Sequence, residues 1–360
     1  MECSKKPESN PDWFESIKIN IPDKIYFEET KKEIDRIAKP LDGLGDFENV
    51  ISRIGAIKKN SDFSLDKKAL IVMCSDNGIV EEKVTQSSFE VTMKVAKNIL
   101  NKRSGVAVMA EKNKVDCFVI DVGINSDEKP SGLIDKKIRK GTRNFRVEPA
   151  MTEDEMFKAI NTGIETVREL ADKGYDIIAL GEMGIGNTTT SSAICASLLH
   201  ESAENVTGRG AGLDDEGLGR KIGLIDEAIK KYGLYDKDPL DVLRIAGGYD
   251  IAALMGACIG GAVYEIPVVL DGVITQASGL LAKKIFPETV EYLFASHLGK
   301  EKSSELILKE LGLKPVIDAN MALGEGTGAL MYLSLLDNAL YVYKNSARFD
   351  ELEMKDYERF

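Results

Sequence analysis

Short, almost wholly apolar runs alternate along this chain with longer segments of helical spacing, and that alternation limits its fold more than any other feature. Ala69–Cys74, Val115–Ile120, Ile177–Leu180, Pro267–Leu270 and Tyr292–Ala295 have no polar face, as expected of strands buried on both sides. Between them, helices are expected over about 89–101, 104–113, 152–173, 215–232, 239–246 and 249–264, with a last one from near Thr327 towards Tyr343. Thr152 and Glu155 have capping-box spacing, and residues 27–38 also show helical spacing. Strands and helices in this order build a parallel sheet covered on both faces. Such sheets bind ligands outside the carboxyl ends of their strands. The turns at Asp76, Asp121, Glu182 and Asp271 all follow strand ends, so they should share one rim.

Ile251–Leu270 is nearly long enough to span a bilayer, but it contains Glu265, Pro267 and several glycines between Asp250 and Asp271. It is read as a buried helix to Tyr264 followed by a strand. A net charge of −12 argues against a nucleic-acid surface, which needs a basic face. Met1–Pro7 leads into no apolar stretch, so no leader is expected and a cytoplasmic enzyme is. Cys3, Cys74, Cys117, Cys195 and Cys258 are scattered, and four lie in apolar runs. Reduced, buried thiols are the expectation. With two histidines and no Cys-x-x-Cys, neither a metal site nor a cofactor is expected. The charged stretch Arg348–Glu353 reads as a solvated helix.

The richest local signal is Gly181-Glu182-Met183-Gly184-Ile185-Gly186-Asn187-Thr188-Thr189-Thr190, between the strand at 177–180 and a helical segment at 191–199. Glycines there let the backbone approach a ligand, and the amides at a helix start favour an anion. Asn187 and the threonines would supply a cap and hydroxyl donors. No Gly-Lys-Ser/Thr follows, so this is not a P-loop, and Thr189 stands where a dinucleotide fingerprint has its third glycine. Spacing alone leaves open a phosphate cradle with Glu182 at its mouth or a tight turn without a ligand.

The whole string resembles the signature of the nicotinate-nucleotide:dimethylbenzimidazole phosphoribosyltransferase family, which activates the lower-ligand base of cobamides. Met73–Ile79, Arg139–Phe145, Glu148–Thr152, Gly208–Asp215, Gly247–Ala253, Leu270–Ile274 and Leu323–Ala329 match further family blocks in order. The resemblance implies transfer of 5-phosphoribose from nicotinate mononucleotide to an aromatic base, giving an α-ribotide and nicotinate. A pyridinium leaves neutral at nitrogen, so the site has to bind phosphate, support a cation-like sugar and take the acceptor's proton.

By position, Glu325 matches the family's general base, with a plain helix-terminal carboxylate as the alternative. Glu182 matches a second carboxylate near the ribose, the alternative being a turn residue. Gly184, Gly186, Asn187 and Thr188 should line the phosphate cradle. Lys221 matches a lysine near the nucleotide, with a solvated helix lysine as the alternative. Phe89, Asn77, Met183 and Leu323 are assigned to the acceptor pocket. Phe89 stands at a family glutamine, Asn77 at a histidine, Gly299 at a serine and Ser304 at a histidine. Losing these polar contacts suggests a less polar acceptor, a phenol such as p-cresol, with neutral drift beside an unchanged reaction as the alternative.

The implied fold is a Rossmann-like parallel α/β sheet at 41–300 plus a small helical domain from 1–40 and 301–360, with Glu325 completing the site. The partners implied are the nucleotide, the aromatic acceptor and a second subunit, identical or a paralogue. A poorly active, nucleotide-binding subunit of such a heterodimer is the competing reading.

Overall fold

The structure is a computed structural model that describes residues 10–359; the leader reading and Cys3 lie outside them. Six parallel strands are hydrogen-bonded in the order β3-β2-β1-β4-β5-β6. They are β1 (Lys68–Ser75), β2 (Val115–Gly123), β3 (Ile134–Asp135), β4 (Ile177–Met183), β5 (Val268–Leu270) and β6 (Leu293–Ala295). The order reverses between β1 and β4, the switch point where a doubly wound sheet opens a crevice.

β1 shows how the pleat divides the core. Ala69, Ile71 and Met73 face one hydrophobic layer, while Leu70, Val72 and Cys74 face the other. On the second face lie α2 (Lys24–Asp35), α3 (Asp46–Lys58), α4 (Glu90–Leu100), α5 (Gly105–Lys112) and α14 (Thr327–Asn345). On the first face lie α6 (Glu153–Asp172), α7 (Asn187–Leu199), α9 (Asp215–Tyr232), α10 (Pro239–Ala246), α11 (Tyr249–Val263), α12 (Val273–Ile285) and α13 (Ser303–Leu311). The short α1 (Asp12–Glu15) and α8 (Ala203–Val206) are single turns that bury only Phe14 and only Ala203 and Val206, respectively. α6 begins with the expected capping box, with both reciprocal hydrogen bonds formed. α11 is apolar all round because it is central, packed on β1, β2 and β4 and covered by α6. No helix among the described residues is long and apolar enough to cross a membrane.

Some local expectations need correction. β4 runs on through Glu182 and Met183, so Glu182 is a strand residue rather than part of a turn. Helix α7 starts at Asn187, and its N-cap is Gly186, so the Asn187 side chain does not cap it. β3, α3, α12 and α13 carry no expected counterpart. In α12 the reason is burial: Val273–Ala282 is buried residue after residue, which erases the periodic contrast that marks a helix. The solvated helix expected at Arg348–Glu353 forms only in part. The segment has a 3-10 turn at Asp350–Leu352, Phe349 is buried, and the strand-like bridge Ile37–Arg348 ties it to the end of α2. Cys74, Cys195 and Cys258 are buried free thiols, whereas Cys117 is half-buried.

Candidate active site

The carboxyl ends of β1, β2, β4 and β5 bring Asp76, Asp121, Glu182 and Asp271 to one edge of the sheet. Each is buried, and each is anchored differently. Asp76 accepts the Thr92 hydroxyl at 2.5 Å and the Asn125 amide at 2.7 Å. Burial still raises it to about 6. Asp121 accepts the amides of Gly123 and Ile124 and faces Lys137 at 3.1 Å.

Beyond β4 the chain turns sharply because two glycines permit it. A side chain at Gly184 would come within 2.4 Å of the Asp250 carboxylate, and Gly186 has φ +95°. The turn aims the start of α7 at a cavity of about 210 Å³ whose wall includes Glu182, Asn187 and Thr188. Asn187 donates to both Glu182 Oε2 and, at 3.1 Å, Asp250 Oδ2. Burial, reinforced by Asp250 and Asp271, pushes the Glu182 carboxyl up to about 8, while the Asn187 bond opposes the rise. Burial raises Asp250 to about 6.

Lys221 of α9 is fully buried, which removes the solvated-lysine alternative. Its Nζ donates to Thr188 Oγ1 at 3.0 Å and to the Gly208 carbonyl at 3.2 Å. Among the described residues it has no ion-pair partner. Burial lowers it to about 8, with Glu301 partly offsetting the shift. A buried ammonium touching a helix start is a site prepared for an anion.

The Glu325 loop is conformationally unusual. Gly324, Glu325 and Gly326 have φ of +79°, +62° and +100° in succession. A glutamate in that region costs roughly 1–3 kcal/mol and persists only where surrounding contacts impose it. Here Asp271 imposes it, accepting the amides of Gly326, Gly328 and Ala329 at the start of α14. The loop lies directly on β4: a side chain at Gly181 would come within 2.2 Å of the Glu325 carbonyl oxygen. The Glu325 carboxyl is raised by burial, held down in part by the Val106 amide and the Ser104 hydroxyl, and its Oε2 has no hydrogen-bond partner.

Met183, Gly184, Asn187, Thr188, Glu182 and Leu323 therefore meet around one cavity. Gly186 and Lys221 are not among its lining residues, but Gly186 caps α7 and Lys221 bonds the lining Thr188. Glu325, Phe89 and Asn77 are not among its lining residues. Phe89 heads α4, half-buried, one turn before Thr92. Asn77 is fully buried behind the Gly184–Gly186 turn and bonds the Ile185 carbonyl. Sequence reasoning gave no role to Asp250 or His297. Asp250 stood out only within a matched block and as a flank of the apolar Ile251–Leu270 stretch, and His297, 3.9 Å from Asp271, only as a member of the Ser296–Ser304 segment in which Gly299 and Ser304 depart from the family.

A family model described as phosphoribosyltransferase matches residues 19–353. The nicotinate-nucleotide–dimethylbenzimidazole phosphoribosyltransferase of Clostridium perfringens is 43% identical over 321 residues, covering 89% of each chain. The protein of the same name from Clostridium acetobutylicum is 40% identical over 340 residues, covering 94% of this chain and 97% of its own. The crystal structure of CobT from Thermus thermophilus aligns with a TM-score of 0.88 at 34% identity, covering 92% of this chain and 100% of that one.

Proposed function

The chain belongs to the nicotinate-nucleotide–dimethylbenzimidazole phosphoribosyltransferase family and is a pentosyl-transferring enzyme, and on that premise we propose that it moves 5-phosphoribose from nicotinate mononucleotide to a cobamide lower-ligand base. The bond between the anomeric carbon and the pyridinium nitrogen breaks, and its electron pair leaves with nicotinate. A lone pair of the acceptor forms the new bond from the opposite face, giving the α-ribotide. The acceptor's proton goes to Glu325, whose Oε2 carries no hydrogen bond and whose affinity for a proton burial raises above the ordinary carboxylate. Glu182, on the cavity wall, faces the ribosyl group; burial favours its protonated form in the empty site, and the positive charge of the bound pyridinium riboside shifts it towards the ionised form that balances that charge.

The observation that carries this reading is the buried Lys221–Thr188 pair at the start of α7, beside the cavity that Glu182 bounds. It offers a phosphate a cation, a hydroxyl and helix amides together. Met183, Val273, Ile274, Met321 and Leu323 supply apolar wall for an aromatic acceptor. That apolar wall favours a phenol such as p-cresol over a more polar base. Leu323 is 61% exposed, and Val108, Met331 and Leu335 are also exposed. This supports assembly with a second subunit, identical or related.

The test incubates the purified chain with nicotinate mononucleotide and a mixture of dimethylbenzimidazole, adenine, phenol and p-cresol, and follows ribotides by mass spectrometry. One dominant ribotide supports the transferase and names its acceptor. Bound nucleotide without product favours a subunit that needs an active relative.

A further inference from the structure

Away from the active cavity, a second cavity of about 210 Å³ lies between α3, the end of β6, the loop after α13 and α14. The two share no wall residue. Arg53 of α3 lines the second with part of its hydrogen-bonding capacity unused. Its guanidinium lies over the Phe294 ring, 4.4 Å from the centroid. Nη2 donates to the carbonyls of Val290, Glu291 and Leu293 at 3.1, 3.1 and 3.0 Å, which fixes the plane of the group. A guanidinium has five N–H donors and no acceptor. Among the described residues, no acceptor takes those on Nε and Nη1, and no carboxylate pairs with Arg53. Burial lowers its hold on its proton, which Tyr332 and Glu291 restore only in part.

Tyr332 of α14 lines the same cavity. It is 1% exposed, and its hydroxyl has no hydrogen-bond partner among the described residues. A hydroxyl buried away from water is costly to leave unpaired, and this one lies in the field of the Arg53 charge. Asp46 is the one carboxylate on the wall, and Lys314 beside it takes its charge at 2.8 Å. Val50, Phe294, Leu313 and Val316 make the rest of the lining largely apolar. A cation without a counter-ion, a hydroxyl without an acceptor and an apolar wall together are the complement of a carboxylate on a ring.

We propose that this cavity is a second ligand site, for a small aromatic monocarboxylate, with one carboxylate oxygen accepting a free N–H of Arg53 and the other the Tyr332 hydroxyl. Two donors match two oxygens. A phosphate carries more oxygens and more charge than one guanidinium and one hydroxyl satisfy, and it would set the remainder against apolar side chains. The volume suits a single ring, being below the roughly 300–1,000 Å³ of pockets that hold larger ligands. The geometry of this site is independent of the transfer reaction proposed above.

The probe is benzoate, titrated by calorimetry into the full chain. Benzamide, with the ring but no charge, and inorganic phosphate, with charge but no ring, are titrated beside it. Wild type should bind benzoate at least about tenfold more tightly than either. Tyr332→Phe removes only the unpartnered hydroxyl. It should melt no lower than wild type yet bind benzoate several-fold more weakly. Arg53→Lys keeps a positive charge but loses the stacked, anchored plane, and should weaken benzoate about tenfold or more. Val316→Phe fills the cavity from its apolar wall and should abolish binding, which keeps the test available if Arg53→Lys fails to fold. Absence of benzoate binding by wild type would overturn the proposal. So would benzamide bound as tightly as benzoate, or benzoate affinity unchanged in both Tyr332→Phe and Val316→Phe, since the ligand would then lie elsewhere. Affinity unchanged in Tyr332→Phe alone would overturn the part assigned to its hydroxyl.

Discussion

Replacing Lys221 with methionine should stabilise the ligand-free enzyme while weakening its hold on the nucleotide. Burial holds the ammonium at about 8 against its usual 10.5. At roughly 1.4 kcal/mol per pH unit, keeping it charged in the fold at pH 7 costs about 3 kcal/mol. Methionine has nearly the same length and removes that cost. It also abandons the Thr188 hydroxyl and the Gly208 carbonyl, a loss of about 2 kcal/mol. The net gain is about 1 kcal/mol at pH 7, visible as a melting temperature higher by about 1–3 °C. The sign with pH follows from linkage. The folded pKa lies below the unfolded one, so between about 8 and 10.5 the unfolded chain binds more protons, and wild-type stability gains as pH rises. The advantage of Lys221→Met should therefore be full at pH 7 and gone by about pH 10. Losing a charged hydrogen bond to phosphate, about 1.5–3 kcal/mol, should weaken nicotinate mononucleotide roughly 10–150-fold. Thermal melts across pH and calorimetric titration test both halves. A variant that melts lower than wild type at pH 7, or whose margin ignores pH, refutes the burial argument. Unchanged affinity refutes the anion site.

Glu182 has the opposite pH signature. Its folded pKa of about 8 lies above the ordinary 4.5, so the fold binds more protons than the unfolded chain across that window, and stability falls as pH rises through it. Melting temperatures from pH 5 to 8.5 should decline more steeply for wild type than for Glu182→Gln; parallel curves would remove Glu182 as the source. Gly181→Ala forces a methyl against the Glu325 carbonyl, where backbone meets backbone, so the Glu325 loop must move. The variant should lose at least about tenfold in kcat/KM, since small misplacements of a reacting group are costly. Wild-type turnover in it would detach Glu325 from the chemistry.

Much of the fold is legible because the strands are extreme. Ala69–Cys74 and Ile177–Leu180 have no polar face, so only a sheet covered on both sides accommodates them, and their polar ends converge by the geometry of a parallel sheet. The capping box at Thr152 and the helix–strand division of Ile251–Leu270 are likewise local, and both form as read. The start of α7 is not legible. Asn187 after glycine looks like a cap, because asparagine is common there. In the structure Gly186 holds that position with its left-handed φ, and the asparagine side chain is drawn away by carboxylates. Helix α12 was hidden for a different reason, since continuous burial leaves no amphipathic contrast to detect.

The parallel α/β class, the glycine turn between β4 and α7, and the family are legible without coordinates, since each rests on local runs of residues read in chain order. The tertiary structure alone decided which partner each site residue meets. Asn187 meets Asp250 across 63 residues, Lys221 meets Thr188 across 33, and Gly326 reaches Asp271 across 55. The desolvation of a charge, and the direction in which a neighbouring amide or hydroxyl must turn to meet it, depend on what is packed beside it. Local pattern carries the period of burial but not the identity of the buried partner. For that reason the sequence leaves Lys221 open between a lysine near the nucleotide and a solvated helix lysine, and only the folded chain makes it a buried cation beside the site.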